Sequence, residues 1–268
     1  MLTGRFAPSP TGPLHLGSLV AAAASWLFAR RAGGRWLVRM EDLDRPRVVP
    51  GSADEILRAL ERYALLWDGE VVYQSARLPL YAAAIEQLRD RGRVFDCACS
   101  RADLGDEAVY PGTCREGVPP GRAPRAVRFR GNEERIAFDD LIRGHCEGAV
   151  DDFIVKRADG IFAYQLAVVV DDAAQAVTQV VRGADLLDST PRQIALQRAL
   201  GYPTPEYAHV PLVLAPDGTK LGKRDGALPL EMLDETRVAE SLSNALRYLG
   251  IDVAPSNPEE MLAAALLV

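Results

Sequence analysis

Three groups of side chains in this sequence have the types and spacing to do chemistry. The first lies in RFAPSPTGPLHLGS, Arg5 to Ser18. Its three prolines and Gly12 impose a turning backbone that is neither strand nor helix. After Pro13, Leu16, Leu19, Val20, Ala23, Trp26 and Leu27 recur at three- and four-residue steps, which predicts an amphipathic helix with His15 in its first turn. The unpaired N–H groups of a helix start, with an imidazole beside them, suit a phosphate, and Gly17 lets a ligand approach the backbone. The stretch therefore reads as a nucleotide-phosphate loop, although a proline-rich turn before an ordinary surface helix would use the same residues.

The second group is a pair of lysines. Arginine carries nearly all the positive charge, and the only lysines are Lys156, Lys220 and Lys223. Two of them share the loop LAPDGTKLGKRDGA, where a compact, mobile ammonium suits phosphate chemistry; chance clustering in a solvated turn is the plain alternative. The third group is Cys97, Cys99 and Cys114, a C-x-C pair followed fifteen residues later by another thiol. Thiolates this close favour Zn²⁺, and with no histidine in the segment the oxygen of Tyr110 is the candidate fourth ligand. A loop of free cysteines is the alternative, and Cys146, outside the cluster, reads as a small buried residue.

These groups need elements to position them. Leu2 to Phe6 and RWLVRM (Arg35 to Met40) read as strands flanking the first helix, a unit that builds parallel sheets with ligands at the strands' carboxyl ends. Glu41, Asp42 and Asp44 then fall beside the phosphate loop, able to recognise an ammonium or to cap a helix. Ala53 to Tyr63 and Leu80 to Arg89 have helical spacing. Asp151 to Ala163 suggests a hairpin about Asp159-Gly160, YQLAVVVDD (Tyr164 to Asp172) a buried strand, and VVRGADLLDSTPRQ (Val180 to Gln193) a strand, an acidic turn and a Pro-initiated helix. Arg182 falls at a strand's end, where it can meet an anionic substrate or pair with Asp185 or Asp188. Another short strand is expected from His209 to Leu214, and helices from Glu231 onward with a break at Asp252 to Pro258. Arg122, Arg125, Arg128, Arg130 and Arg135 form the best basic patch, suited to a phosphate backbone or to the solvated face of a strand.

The 268 residues, 48% hydrophobic and 25% charged, are enough to bury a full core. No apolar run approaches a membrane span and the first residues lack signal-peptide order, so no membrane association and a cytosolic setting are expected. The net charge of −6 argues against a general nucleic-acid coat but leaves room for a local basic groove.

Taken in order, the motifs resemble a known family. RFAPSPTGPLHLGS is similar to the first signature of class I aminoacyl-tRNA synthetases in its glutamyl form, and KLGKR (Lys220 to Arg224) stands in the place of the second. YQLAVVVDD and VVRGADLLDSTPRQ resemble the glutamyl and glutaminyl branch, so the likeness covers Thr3 to Ala227, thinly from Gly121 to Gly148. The sequence stops soon after the second signature, and its C-x-C, Tyr110 and Cys114 resemble a zinc-binding insertion. Both features match the truncated paralogues of that branch, which attach glutamate to queuosine in the anticodon loop of tRNA(Asp) instead of to the terminal ribose.

The resemblance implies an α/β fold: a Rossmann-like parallel sheet from residues 1–92 and 151–227, a zinc-binding, acceptor-type insertion at 93–150, a small helical region at 228–268, and no anticodon-binding domain. It implies a ligase that forms glutamyl-adenylate from L-glutamate and Mg²⁺-bound ATP without tRNA, then transfers glutamate to queuosine. By matching position, Arg5, Ser9, Glu41, Tyr164 and Arg182 would hold glutamate, the arginines suiting its carboxylates and Glu41 its ammonium. His15, Gly17 and Lys223 would hold ATP. His15, Lys223 and Lys220 would catalyse by positioning and charge neutralisation, with no protein nucleophile. Cys97, Cys99, Tyr110 and Cys114 would hold one structural Zn²⁺, and a cytoplasmic monomer is expected. Two positions depart from the family pattern: Gly222 stands where the second signature usually has serine, and Ser18 replaces the second histidine of the general first signature. A truncated glutamyl-tRNA synthetase charging the tRNA 3′ end, and a non-catalytic tRNA-binding relative, share these motifs.

Overall fold

The computed structural model describes residues 1–104, 109–132, 134–213, 230 and 233–268; Lys220, Gly222 and Lys223 lie outside the described residues. The N-terminal part runs β1 (Thr3–Phe6), α1 (Leu16–Arg31), β2 (Arg35–Met40), α2 (Ser52–Arg62), β3 (Val72–Tyr73) and α3 (Leu78–Asp90). It continues with β4 (Val94–Cys97), α4 (Arg101–Leu104), β5 (Ala126–Phe129), β6 (Glu134–Asp140), β7 (Gly144–Val150) and β8 (Phe153–Lys156). The last part is α5 (Tyr164–Ala174), β9 (Gln179–Gly183), α6 (Thr190–Leu200), β10 (Glu206–Val210), α7 (Glu235–Tyr248) and α8 (Pro258–Leu266).

The expected parallel architecture is present. β1 pairs in parallel with β2, Thr3 against Arg35, and β2 with β3. β10 pairs in parallel with β9 and with β6, while β7 returns antiparallel to β6, giving the order β7-β6-β10-β9. The two sheets meet at Thr3, whose N–H donates to Thr178 Oγ1 at 2.9 Å and whose carbonyl accepts from Thr178 N at 2.9 Å. Apart from them, β4, β5 and β8 form a small antiparallel sheet.

Four expectations change. YQLAVVVDD is helix α5, not a strand: an apolar run of this length fits either element, and the helix is buried continuously from Leu166 to Asp172, as a helix apolar all round must be. Helix α1 is not amphipathic, because Leu19, Val20, Ala22, Ala23, Ala24 and Leu27 are buried on several sides, and His15 caps it from the residue before its first turn. The hairpin at Asp159-Gly160 keeps its turn, but its second strand is a single bridge between Lys156 and Phe162. The basic patch does not exist as one face. Arg122 pairs with Asp103 at 2.6 Å, Arg130 with Glu116 at 3.2 Å and Arg135 with Glu147, while Arg128 is buried beside the cysteines.

Candidate active site

The chain leaves β1 through the proline turn, which is bonded to the next elements: Glu41 N donates to the Pro8 carbonyl and Val49 N to the Pro10 carbonyl, each at 2.9 Å. Gly12, at φ +120°, occupies a backbone region that disfavours a side chain, and Ser52 Oγ accepts from its N–H at 3.1 Å and donates to its carbonyl at 2.9 Å. At the end of the turn, His15 Nδ1 accepts from Ser18 N at 3.2 Å, so the neutral ring carries its proton on Nε2. A Cβ on Gly17 would stand 3.1 Å from the imidazole, so the missing side chain makes room for the ring.

This turn forms one wall of a cleft of about 660 Å³ at the carboxyl ends of β1, β2 and β9. Arg5, Ser9, His15, Gly17, Glu41, Tyr164 and Arg182 all line it. The structure thus brings together seven expected residues that are spread over more than half the chain.

The cleft has two electrostatically different ends. At one, Arg5 and Arg39 converge on the buried Asp172, Arg5 Nε at 3.2 Å and an Arg39 terminal nitrogen at 2.8 Å. Arg39 also reaches Glu41 at 3.5 Å and Asp171 at 3.8 Å. Burial alone would raise the Asp172 carboxyl, but the two guanidinium groups hold it below the ordinary carboxylate range. Glu41 moves up, because burial outweighs the pull of Arg39 and Arg5. Of the other expected acids, Asp42 is bound to Ser75, at 2.8 Å from its N–H and 2.5 Å from its hydroxyl, and Asp44 pairs with Arg47 and Arg157.

At the other end stands Arg182, 5% exposed. Among the described residues it makes no ion pair, with Asp185, Asp188 or any other acid; its donors go to neutral acceptors. Nε donates to His209 Nε2 at 3.0 Å, one terminal nitrogen to Gln193 Oε1 at 2.8 Å and Tyr164 Oη at 3.1 Å, and the other to Thr190 Oγ1 at 2.8 Å and the Leu186 carbonyl at 3.3 Å. A buried charge without a counter-ion is costly to maintain, so this guanidinium is oriented, satisfied as a donor, and complementary to an anion entering the cleft.

The three cysteines converge as their spacing suggested, with Sγ atoms of Cys97, Cys99 and Cys114 within 4.8 Å of one another. Cys99 and Cys114 are 3.7 Å apart, and Tyr110 Oη lies 3.5 Å from Cys97 Sγ and 3.6 Å from Cys99 Sγ. Around a tetrahedral zinc with ordinary bond lengths, sulfur–sulfur edges come to about 3.8 Å and sulfur–oxygen edges to about 3.5 Å. The donor set therefore fits one Zn²⁺. Arg128, which the sequence placed in the basic patch, has its guanidinium carbon 3.9 Å from the centre of the Tyr110 ring and donates to Cys97 Sγ at 3.4 Å. Burial opposes ionisation of Cys97, but the hydrogen bonds from Tyr110 and Arg128 outweigh it and hold the thiol below its ordinary value.

Sequence reasoning also passed over Arg39, Asp172, Asp140 and His209. One signal was present: Asp171 and Asp172 close an otherwise apolar run, which is unusual unless their charges are paired inside.

A parallel sheet with its cleft at a strand-end proline–histidine turn, flanked by a cysteine-bearing small sheet, defines a class I synthetase catalytic domain, and the family model of "tRNA synthetases class I (E and Q), catalytic domain" matches residues 1–109 and 115–264. The glutamyl-Q tRNA(Asp) synthetase of Geobacter sulfurreducens is 56% identical across 98% of this chain and 87% of its own, and that of Thiobacillus denitrificans 56% across 98% and 91%. A glutamate tRNA ligase of Elizabethkingia meningosepticum, solved with its amino acid, superimposes with a TM-score of 0.75 at 31% identity over 84% of this chain. The present chain spans 52% of that ligase. The chain belongs to the glutamyl-Q tRNA(Asp) synthetase family.

Proposed function

We propose that the cleft activates L-glutamate with ATP and that the protein passes the glutamyl group to queuosine in tRNA(Asp). One observation carries the reading: among the described residues the buried Arg182 guanidinium meets only neutral acceptors, and it lines the same cleft as Glu41. That combination takes an amino acid with an extra carboxylate. Arg5 and Arg182 bind the carboxylates, Glu41 takes the ammonium, and Ser9 and Tyr164 complete the glutamate pocket. His15, with Gly17 and Lys223, holds ATP phosphate, and Lys220 assists.

A glutamate α-carboxylate oxygen attacks the α-phosphorus in line, and the bond to the departing pyrophosphate breaks. Mg²⁺ accompanies ATP and neutralises phosphate charge. A nucleophilic group on queuosine then attacks the adenylate carbonyl and AMP leaves. No side chain forms a covalent bond, so rate enhancement comes from positioning and charge neutralisation. Residues 1–92 and 151–227 make up the catalytic domain, 93–150 the insertion and 228–268 a helical end. Cys97, Cys99, Tyr110 and Cys114 would hold one Zn²⁺, which would tie β4 to the loop that carries Tyr110 and take no part in the reaction.

Among the described residues no helix is long and apolar enough to cross a membrane. A cytoplasmic monomer accords with the reading.

The test is L-glutamate-dependent ATP–pyrophosphate exchange without tRNA, with glutamine and aspartate as controls, followed by transfer to tRNA(Asp) with and without queuosine. Exchange with glutamate alone and transfer only to the queuosine form are expected; charging of the tRNA 3′ end would refute the acceptor. Lys223→Ala should abolish exchange while circular dichroism stays unchanged. Metal analysis should find one zinc per chain, lost in Cys99→Ser.

A further inference from the structure

Arg182 is held in place by an array that the reaction itself does not call for. β9, β10 and β6 run parallel side by side, and the register sets Arg182 directly opposite His209, with Asp140 at the end of β6 on the far side of β10. His209 is fully buried. Its Nε2 receives the Arg182 Nε–H at 3.0 Å and faces the Thr190 hydroxyl at 3.3 Å, so this nitrogen must present its lone pair. The ring proton then sits on Nδ1 and is donated to Asp140 Oδ2 at 2.6 Å. Asp140 in turn is fixed by its other oxygen, which accepts the N–H groups of Ile142 at 3.0 Å, Arg143 at 2.9 Å and His209 at 3.2 Å.

We propose that His209 and Asp140 are positioning residues for substrate binding: Asp140 fixes the His209 tautomer, and His209, as a neutral acceptor, aims Arg182 while leaving its charge for a substrate carboxylate. A carboxylate in place of His209 would hold the guanidinium equally well, but it would cancel the charge and compete with the incoming anion. Here the counter-charge stands one imidazole away. The protein accepts a buried charge that none of the described residues touching it neutralises, and placement on three adjacent strands gives the array the rigidity such aiming requires. Burial and the adjacent guanidinium hold His209 below the ordinary histidine value, in keeping with a neutral ring. The inference rests on the reading of the cleft as a glutamate site, and it can be tested by binding, independently of activation.

The experiment measures the glutamate Kd by calorimetry without ATP, then KM and kcat in pyrophosphate exchange, for wild type, Asp140→Asn, His209→Gln and His209→Phe. Asp140→Asn is the decisive variant. Its remaining oxygen still accepts the three backbone N–H groups, while its new amide donates to His209 Nδ1, drives the proton to Nε2 and sets it against the Arg182 Nε–H. Glutamate Kd and KM should rise at least about tenfold, with kcat and the ATP KM changing less than about threefold. His209→Phe should do the same. His209→Gln, whose amide oxygen can meet Arg182, should recover most of the affinity. Wild-type glutamate affinity in Asp140→Asn and His209→Phe, or equal losses for ATP and glutamate, would overturn the proposal. A wild-type protein that binds glutamate but does not exchange pyrophosphate would refute activation while leaving the binding comparison intact.

Discussion

Two of the arginines that face the cleft, Arg5 and Arg182, are buried, yet they are kept in opposite ways. Arg5 belongs to a closed network in which Arg5, Arg39 and Arg77 meet Asp171, Asp172 and Glu41, three cations against three anions. Tyr81 and Gln74 add hydrogen bonds to Asp171 at 2.7 and 2.8 Å. Arg182 makes five hydrogen bonds and, among the described residues, touches no carboxylate. The first arrangement holds the floor of the cleft together and shares the Arg5 charge with Asp172, and the second leaves the Arg182 charge uncompensated. Burial and hydrogen-bond satisfaction therefore do not tell whether a buried arginine keeps its full charge; the charge of the acceptors does.

The paired arginines are the more sensitive to substitution. Asp172→Asn removes the carboxylate that Arg5 and Arg39 share, and losing one partner of a buried ionic network costs about 3–5 kcal/mol. Urea denaturation should show the midpoint falling with an unchanged slope. An unchanged midpoint would mean that the pairing does not hold this end. At the open end the expected loss is functional. Arg182→Lys keeps a positive charge but not the planar fork, and glutamate-dependent exchange should fall on the order of 10²–10³-fold, equivalent to about 3–4 kcal/mol. Exchange near the wild-type rate would show that a point charge suffices and that the oriented acceptors around Arg182 serve only packing.

How much of this was legible in the sequence differs between regions for physical reasons. The β1–α1–β2 unit could be read because the prolines, the helical spacing after Pro13 and the compact RWLVRM run each limit the backbone to one state. The convergence of Cys97, Cys99 and Cys114 could be read because these donors lie close along the chain. Helix α5 could not, since a run apolar on every side has no periodicity to separate helix from strand, and misplacing it hid the roles of Asp171 and Asp172. His209 was legible only as part of a strand. Its partners, Asp140 and Arg182, lie 69 and 27 residues away and are supplied by sheet register, which no local pattern encodes. The apparent basic patch failed for a related reason: Arg122, Arg130 and Arg135 found separate acidic partners in space, and Arg128 turned inward to Cys97.

The smallest expected effect sharpens the comparison by pH. The groups facing His209 are Asp140 from β6, Arg182 from β9 and Tyr207 on its own strand, whose ring stacks at 6.2 Å, while Arg143 bonds the His209 carbonyl. Tyr207 is itself pushed up to about 12 by burial and stays neutral through this range. Burial and Arg182 hold the folded His209 below the ordinary 6.5. As pH falls below 6.5, the unfolded chain binds a proton that the folded protein refuses, so this site's contribution to stability is present above 6.5 and is lost as pH drops toward the folded value. Urea unfolding free energy should decline over that interval in wild type and decline less in His209→Gln, which has no proton to take up there. The glutamate KM should rise in the same direction, because a protonated ring sets an N–H against the Arg182 Nε–H, and His209→Gln should flatten that rise too. An equal slope in the two proteins would place the titrating group elsewhere, and the neutral acceptor beneath Arg182 would then no longer explain how its charge is kept for the substrate.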